Sequence, residues 1–243
     1  RRSPFECCHY PRPPEAGPGG PSSVISELQV RMDLHVYRNS QDRWHDLKSA
    51  ARERGAVLAL NALTFDELVQ RITPDVTTAT AGQRLAILNG ILNSEAIVGA
   101  VYDRAVIDRA YSLRYWYDAI AELKASRVLP KELRAAGASV LATMLEQYDE
   151  KVRRACLYDP QDRRALATAR VREEAVPWLQ RFDRVVLHAL YDLTEAEFLL
   201  VRSIIEALPE GGAVVLFNTT ANVKPTEFAE WTWQRFVQDE SLA

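Results

Sequence analysis

Residues 32–68, MDLHVYRNSQDRWHDLKSAARERGAVLALNALTFDEL, decide the fold class. Met32 to Tyr37 alternates apolar and polar residues in the manner of a short strand. Asn39-Ser40 offers a helix cap, and the helix that follows runs through Trp44, Leu47 and Ala51 to a stop at Gly55. Ala56-Val57-Leu58-Ala59-Leu60 is a continuous apolar run, which predicts a strand buried on both faces. Thr64 then caps a further helix whose first turn carries Asp66 and Glu67, where the helix dipole favours acids. Strand, helix, strand, helix predicts a parallel sheet.

Outward from this stretch the pattern changes twice. From about Thr80 to Arg181 apolar residues recur at helical spacing: Leu85, Ile87, Leu88, Ile91 and Leu92; Tyr115, Ala119 and Leu123; Val140, Met144, Tyr148 and Val152. Pro130 and Pro160 each sit at the first turn of a helix. No strand pattern interrupts this region, so it reads as a helical insertion. Arg184 to Leu190 then reads as a buried strand, Thr194 caps a helix through Leu208, Pro209-Glu210-Gly211-Gly212 makes a turn, and Ala213 to Phe217 is another strand. An aromatic-rich helix, Phe228 to Val237, ends the pattern. The expected organisation is a disordered Pro/Gly-rich leader (1–23), the first part of an α/β domain (24–79), an all-helical insertion (80–181) and the second part of the α/β domain (182–243).

Of the 243 residues 47% are hydrophobic and 26% charged, as in a globular chain, and the formal net charge is -3. Nucleic-acid contact must therefore come from a local patch. Cys7, Cys8 and Cys156 cannot make a disulfide framework, and Cys7-Cys8-His9 lacks the second half-site of tetrahedral zinc, so no metal is expected. No apolar run reaches the roughly 20 residues that span a bilayer. A cytoplasmic protein without a membrane segment is the expectation.

The order of these pieces resembles a superfamily-one helicase motor domain. Ala62 to Leu68 is similar to the "LTFDEL" segment of the B subunit of AddAB/RexAB-type helicase–nucleases. Tyr115 to Leu133, with its stretch LKASRVLPKEL, is similar to a helix-turn-helix in that family's helical insertion, and Leu157 to Asp162 resembles its "D-x-x-D" step. Val186 to Thr194 falls where the family has a strand followed by acidic residues. The resemblance implies an incomplete α/β fold of P-loop NTPase type with a helical insertion. It further implies a helicase relative without motor function, serving DNA repair beside a partner subunit, its PD-(D/E)XK nuclease domain lying outside these residues.

The chemistry agrees with a non-catalytic chain. Nucleotide hydrolysis on such a fold needs a glycine-rich turn with a following Lys for phosphate, and carboxylates for Mg²⁺. No G-x-x-x-x-G-K-[ST] occurs, and His188-Ala189 stands where the acidic pair belongs. His188 reads as a hydrogen-bonded strand-end residue and Asp192 as support for a helix start. No catalytic residue and no cofactor is expected. Single-stranded DNA is the expected partner, with Thr64 bonding phosphate and Phe65 stacking on a base, or else Phe65 packing into the core. Lys151, Arg153, Arg154, Arg163, Arg164, Arg170 and Arg172 form the densest basic region, within which Arg153, Arg154, Arg163 and Arg164 are the candidate phosphate contacts. The alternative is a structural or protein-interaction domain, or a degenerate fragment, that does not bind DNA.

Overall fold

The computed structural model describes residues 32–55, 61–94, 109–174, 176–188, 192–209, 211–216 and 227–239. The leader, the apolar run 56–60 and Phe217 lie outside the described residues. So do the side chains of Phe228, Trp231 and Trp233.

Four strands form one parallel sheet: β1 (Asp33–Tyr37), β2 (Ala62–Thr64), β3 (Arg184–His188) and β4 (Ala213–Leu216), in the order β2-β1-β3-β4. The register between the central pair runs from Asp33 opposite Arg184 to Tyr37 opposite His188. Because side chains alternate along a strand, the sheet has two unlike faces. Leu34, Val36, Val185 and Leu187 are wholly buried on one. His35, Tyr37, Val186 and His188 occupy the other.

The apolar face is covered by α2 (Phe65–Ile72), α7 (Pro160–Glu173) and α8 (Glu195–Ala207). Phe65, Leu68, Val69 and Ile72 of α2, Ala167 and Val171 of α7, and Phe198, Leu200, Val201 and Ile204 of α8 join the strands in one core. The opposite face meets α1 (Ser40–Arg54), where Asp46 accepts a hydrogen bond from Tyr37 Oη at 2.6 Å. Asn39 caps α1 through the N–H groups of Gln41 and Asp42, and Gly55 ends it at φ 81°, a left-handed turn that glycine adopts without strain. The helix buries none of its residues, and Trp44, expected on its packed side, is 67% exposed.

A second core is built by α3 (Ala81–Leu92), α4 (Arg109–Ala125), α5 (Pro130–Ala135) and α6 (Ser139–Arg154). Leu88, Ile91, Ile120, Met144, Leu145 and Tyr148 fill it. Tyr115, placed among the apolar positions by its spacing, is 61% exposed, and Ile120 supplies the buried position instead. The helical region therefore does pack on itself, but only as far as α6. Helix α7, although helical like the rest, packs into the sheet's core through Ala167 and Val171. Three helices share one start signal, a threonine whose hydroxyl accepts from the third helical residue while that residue's side chain accepts from the threonine N–H: Thr64 with Glu67, Thr80 with Gln83, and Thr194 with Glu197. A ninth described helix, α9 (Glu227–Gln238), sets Phe236 against Phe198. Among the described residues no helix is long and apolar enough to cross a membrane.

Candidate functional site

In an open parallel sheet ligands bind outside the carboxyl ends of the strands, where the strand order reverses direction. The order β2-β1-β3-β4 puts that switch point between β1 and β3, and the side chains there are Tyr37 and His188, directly paired in register, with His35 one step behind. His35 Nδ1 and His188 Nε2 are 2.9 Å apart, so one ring nitrogen donates its N–H and the other accepts. A second proton on the pair would turn two donors against each other. The Tyr37 ring stacks on His188 with centroids 4.3 Å apart and an interplanar angle of 16°. Burial, and the neighbouring His35, lower the pKa of His188 against an opposing pull from Asp46. Burial and the Asp46 carboxylate push the Tyr37 phenol far above its ordinary value, which keeps it a donor. His188 is thus a hydrogen-bonded strand-end histidine. Asp192 is exposed and takes no part in the α8 cap, which Thr194 and Glu197 form alone.

On the other side of the strand ends, Arg38, Glu197, Arg164 and Asp66 form a chain of ion pairs. Glu197, its side chain 7% exposed, lies between Arg38 (3.3 Å) and Arg164 (3.3 Å), and Arg164 reaches on to Asp66 (2.9 Å). Glu67 of the α2 capping box also pairs with Arg43 from α1. Hydrogen bonding from Thr64 and Arg43 holds the Glu67 carboxyl below its usual range, despite burial acting the other way as the largest single influence.

The residues expected to touch DNA are dispersed and engaged. Phe65 is 3% exposed and belongs to the sheet's core, so its ring is not available to stack on a base. The Thr64 hydroxyl accepts the Glu67 N–H as a helix cap. Arg163 donates to Thr73 Oγ1, Thr73 O and Thr78 Oγ1, each at 2.7 Å. Arg170 donates to Ile72 O and holds Asp75 with both terminal nitrogens, at 2.5 and 2.7 Å. Together these two arginines satisfy carbonyls at the C-terminus of α2, where the dipole favours cations. They are a joint between α7 and α2. Arg153 and Arg154 do face solvent, and both pair with Glu150 on their own helix.

The "D-x-x-D" step has a structural role that its sequence does not announce. Asp159 is 2% exposed; it caps α7 through the Gln161 N–H, accepts from Tyr148 Oη at 2.7 Å and faces Arg84 at 3.8 Å. Asp162 shares Lys124 with Asp149, at 2.8 and 2.5 Å. The Lys124 side chain is 7% exposed, and its two carboxylates keep it charged against the cost of burial. Desolvation in turn raises the Asp162 pKa, Lys124 opposing it. Tyr158 adds backbone bonds to the chain after α2, its N–H to Thr77 O and its carbonyl to the Ala79 N–H. The helical core is fastened to the sheet here.

Sequence reasoning found His188 but missed His35, Tyr37 and Asp46 as its partners. The available signal was the alternation of β1, which puts His35 and Tyr37 on one face. Among the described residues no group of three or more His, Cys, Asp or Glu is arranged to hold a metal ion. No protein-family model matches the chain, and no curated protein matches it.

Proposed function

We propose that the chain is a non-catalytic helicase-like module of a DNA repair or recombination helicase–nuclease, holding or scanning single-stranded DNA beside a partner subunit. The observation that carries this reading is the make-up of the switch-point crevice. Nucleotide-binding sheets of this kind seat phosphates there on a glycine-rich turn and a helix N-terminus, and motor enzymes add carboxylates for Mg²⁺. Here the two imidazoles are bonded to each other at 2.9 Å and the Tyr37 phenol is bonded to Asp46 at 2.6 Å. Among the described residues of the crevice, these rings closed on one another offer neither a phosphate cradle nor a carboxylate pair. The helical excursion between β2 and β3 supports the same reading, because the resemblance places an insertion at that point.

The test is fluorescence anisotropy of a labelled single-stranded oligonucleotide over a salt series, with and without ATP and Mg²⁺. The expected result is a Kd that rises with salt and is indifferent to ATP. No retention at the lowest salt, or a Kd that responds to ATP and Mg²⁺, overturns it. The first of these outcomes would favour a structural or protein-interaction domain, a reading supported by the internal engagement of Arg163 and Arg164.

A further inference from the structure

Among the described long helices α1 stands apart: it lies against the sheet yet buries none of its residues. At about 100° per residue, Gln41, Trp44, His45, Lys48 and Arg52 fall within an arc of about 100°, and all five are exposed. The helix's acidic residues lie off this arc. Asp42 accepts from Asn39, which caps the helix, and Asp46 accepts from Tyr37. Arg43, turned toward the sheet, is bound to Glu67 and the Ala62 carbonyl.

Among the described residues Trp44, Lys48 and Arg52 have no hydrogen-bond or ion-pair partner, and neither cation has an acid three or four positions away. Several exposed cations on other helices are matched: Arg114 with Asp118, Arg134 with Glu146, Arg153 and Arg154 with Glu150. Lys131 and Lys151 are exposed without such a partner among the described residues, and the α1 face differs from these two in adding an exposed indole to its cations. A like-charge pair at i,i+4 disfavours a helix, and an indole 67% exposed gains nothing from burial. The position of Arg52 in the last turn, where the helix dipole favours cations, offsets the first of these; the exposed indole has no such compensation.

We infer that the outer face of α1 is the single-stranded nucleic-acid contact of this protein, with Trp44 stacking on a base and Lys48 and Arg52 meeting successive phosphates. The chemistry is complementary on each count. A polyanion supplies the charge the two cations lack, every base has a π-face for an indole, and the arc holds no carboxylate to repel phosphate. Trp44, Lys48 and Arg52 stand one turn apart, about 6 Å along the axis, so one strand laid along the helix reaches all three. The inference rests on the single-strand-binding reading above and locates it on a surface that the basic stretch of α6 and α7 does not include.

The experiment uses the full chain and the same oligonucleotide titration, with circular dichroism to verify that each variant is folded. Lys48→Glu/Arg52→Glu is expected to weaken binding at least tenfold at low salt. It should also reduce the slope of log K against log salt by about 1.4, roughly 0.7 for each phosphate that is no longer neutralised. Trp44→Ala is expected to weaken binding about tenfold with the slope unchanged, the mark of missing base stacking. Arg114→Ala/Arg134→Ala, which removes two matched cations, is expected to leave both quantities as they were. If the wild type binds and the α1 variants bind equally well, the surface is wrong while the single-strand reading stands. If the wild type does not bind at the lowest salt, both fail.

Discussion

Tyr148→Phe is expected to destabilise the protein by about 2 kcal/mol without creating a cavity. Tyr148 is 1% exposed and Asp159 2%, and the hydroxyl donates to the carboxylate at 2.7 Å. Phe fills the same volume, so the change isolates one hydrogen bond to a charged acceptor, for which about 1.5–3 kcal/mol is typical. The upper end is excluded because Asp159 keeps the Gln161 N–H at 2.9 Å and Arg84 at 3.8 Å. Asp159→Ala removes all three interactions, strands Arg84 with 17% of its side chain exposed, and is expected to cost about 3–5 kcal/mol. The assay is urea denaturation of both single variants and the double variant. The midpoint should fall while the slope with denaturant holds, and the double-mutant cycle should return a coupling of at least about 1 kcal/mol. A Tyr148→Phe protein within about 0.5 kcal/mol of wild type, or a coupling near zero, would refute the claim that this bond fastens α6 to the start of α7.

Two further outcomes follow from the sheet. His188 has a folded-state pKa below its ordinary 6.5, so its contribution to stability is complete above that pH and is lost as pH falls through the lowered value. Thermal melts between pH 8 and 5 should show wild type losing stability relative to His188→Phe, and a pH-independent difference would contradict the assignment. Phe65→Ala should cost about 3–5 kcal/mol, as expected for a large ring removed from a core. Single-strand affinity measured on the folded variant should not change, and a selective loss of binding would restore Phe65 as a stacking residue.

The local structure was legible because local chemistry dictates it. Asn39, Thr64 and Thr194 cap helices where their side chains predict caps, Gly55 stops α1, and the parallel sheet follows from strands alternating with helices. What was not legible depends on pairings across the chain. His35 and His188 are 153 positions apart, and only the register of β1 against β3 brings their rings together. Arg163 and Thr73 are 90 apart, Arg164 and Asp66 98 apart. A run of arginines beside aspartates reads as a solvated mixed-charge surface until those distances close. Trp44 misled for the opposite reason: apolar periodicity places it on a packed face, yet nothing in a single helix specifies how far that face reaches toward the sheet.

The inward use of the arginines bears directly on how this protein can hold a polyanion. Arg163 and Arg170 close the C-terminus of α2, Arg164 joins Glu197 and Asp66, and Arg172 donates to Ser203 at 2.7 Å. Each fastens α7 to α2 or α8, and pulling Arg163 or Arg164 out toward phosphate would take one of its partners from buried Thr73 or buried Glu197. That exchange is unfavourable, because an unsatisfied buried polar group loses more than a screened surface interaction returns. Phosphate contact must therefore fall to cations that hold no internal partner. On α1 these are Lys48, Arg52 and Arg54, of which Lys48 and Arg52 share the Trp44 face. A chain with a formal net charge of -3 and two such cations on one helix face would bind weakly, with a shallow salt dependence. A steep slope, of the size that six or more phosphate contacts give, would mean that cations beyond this face take part, either exposed ones such as Arg54, Lys131 and Lys151 or α7 arginines drawn from their partners.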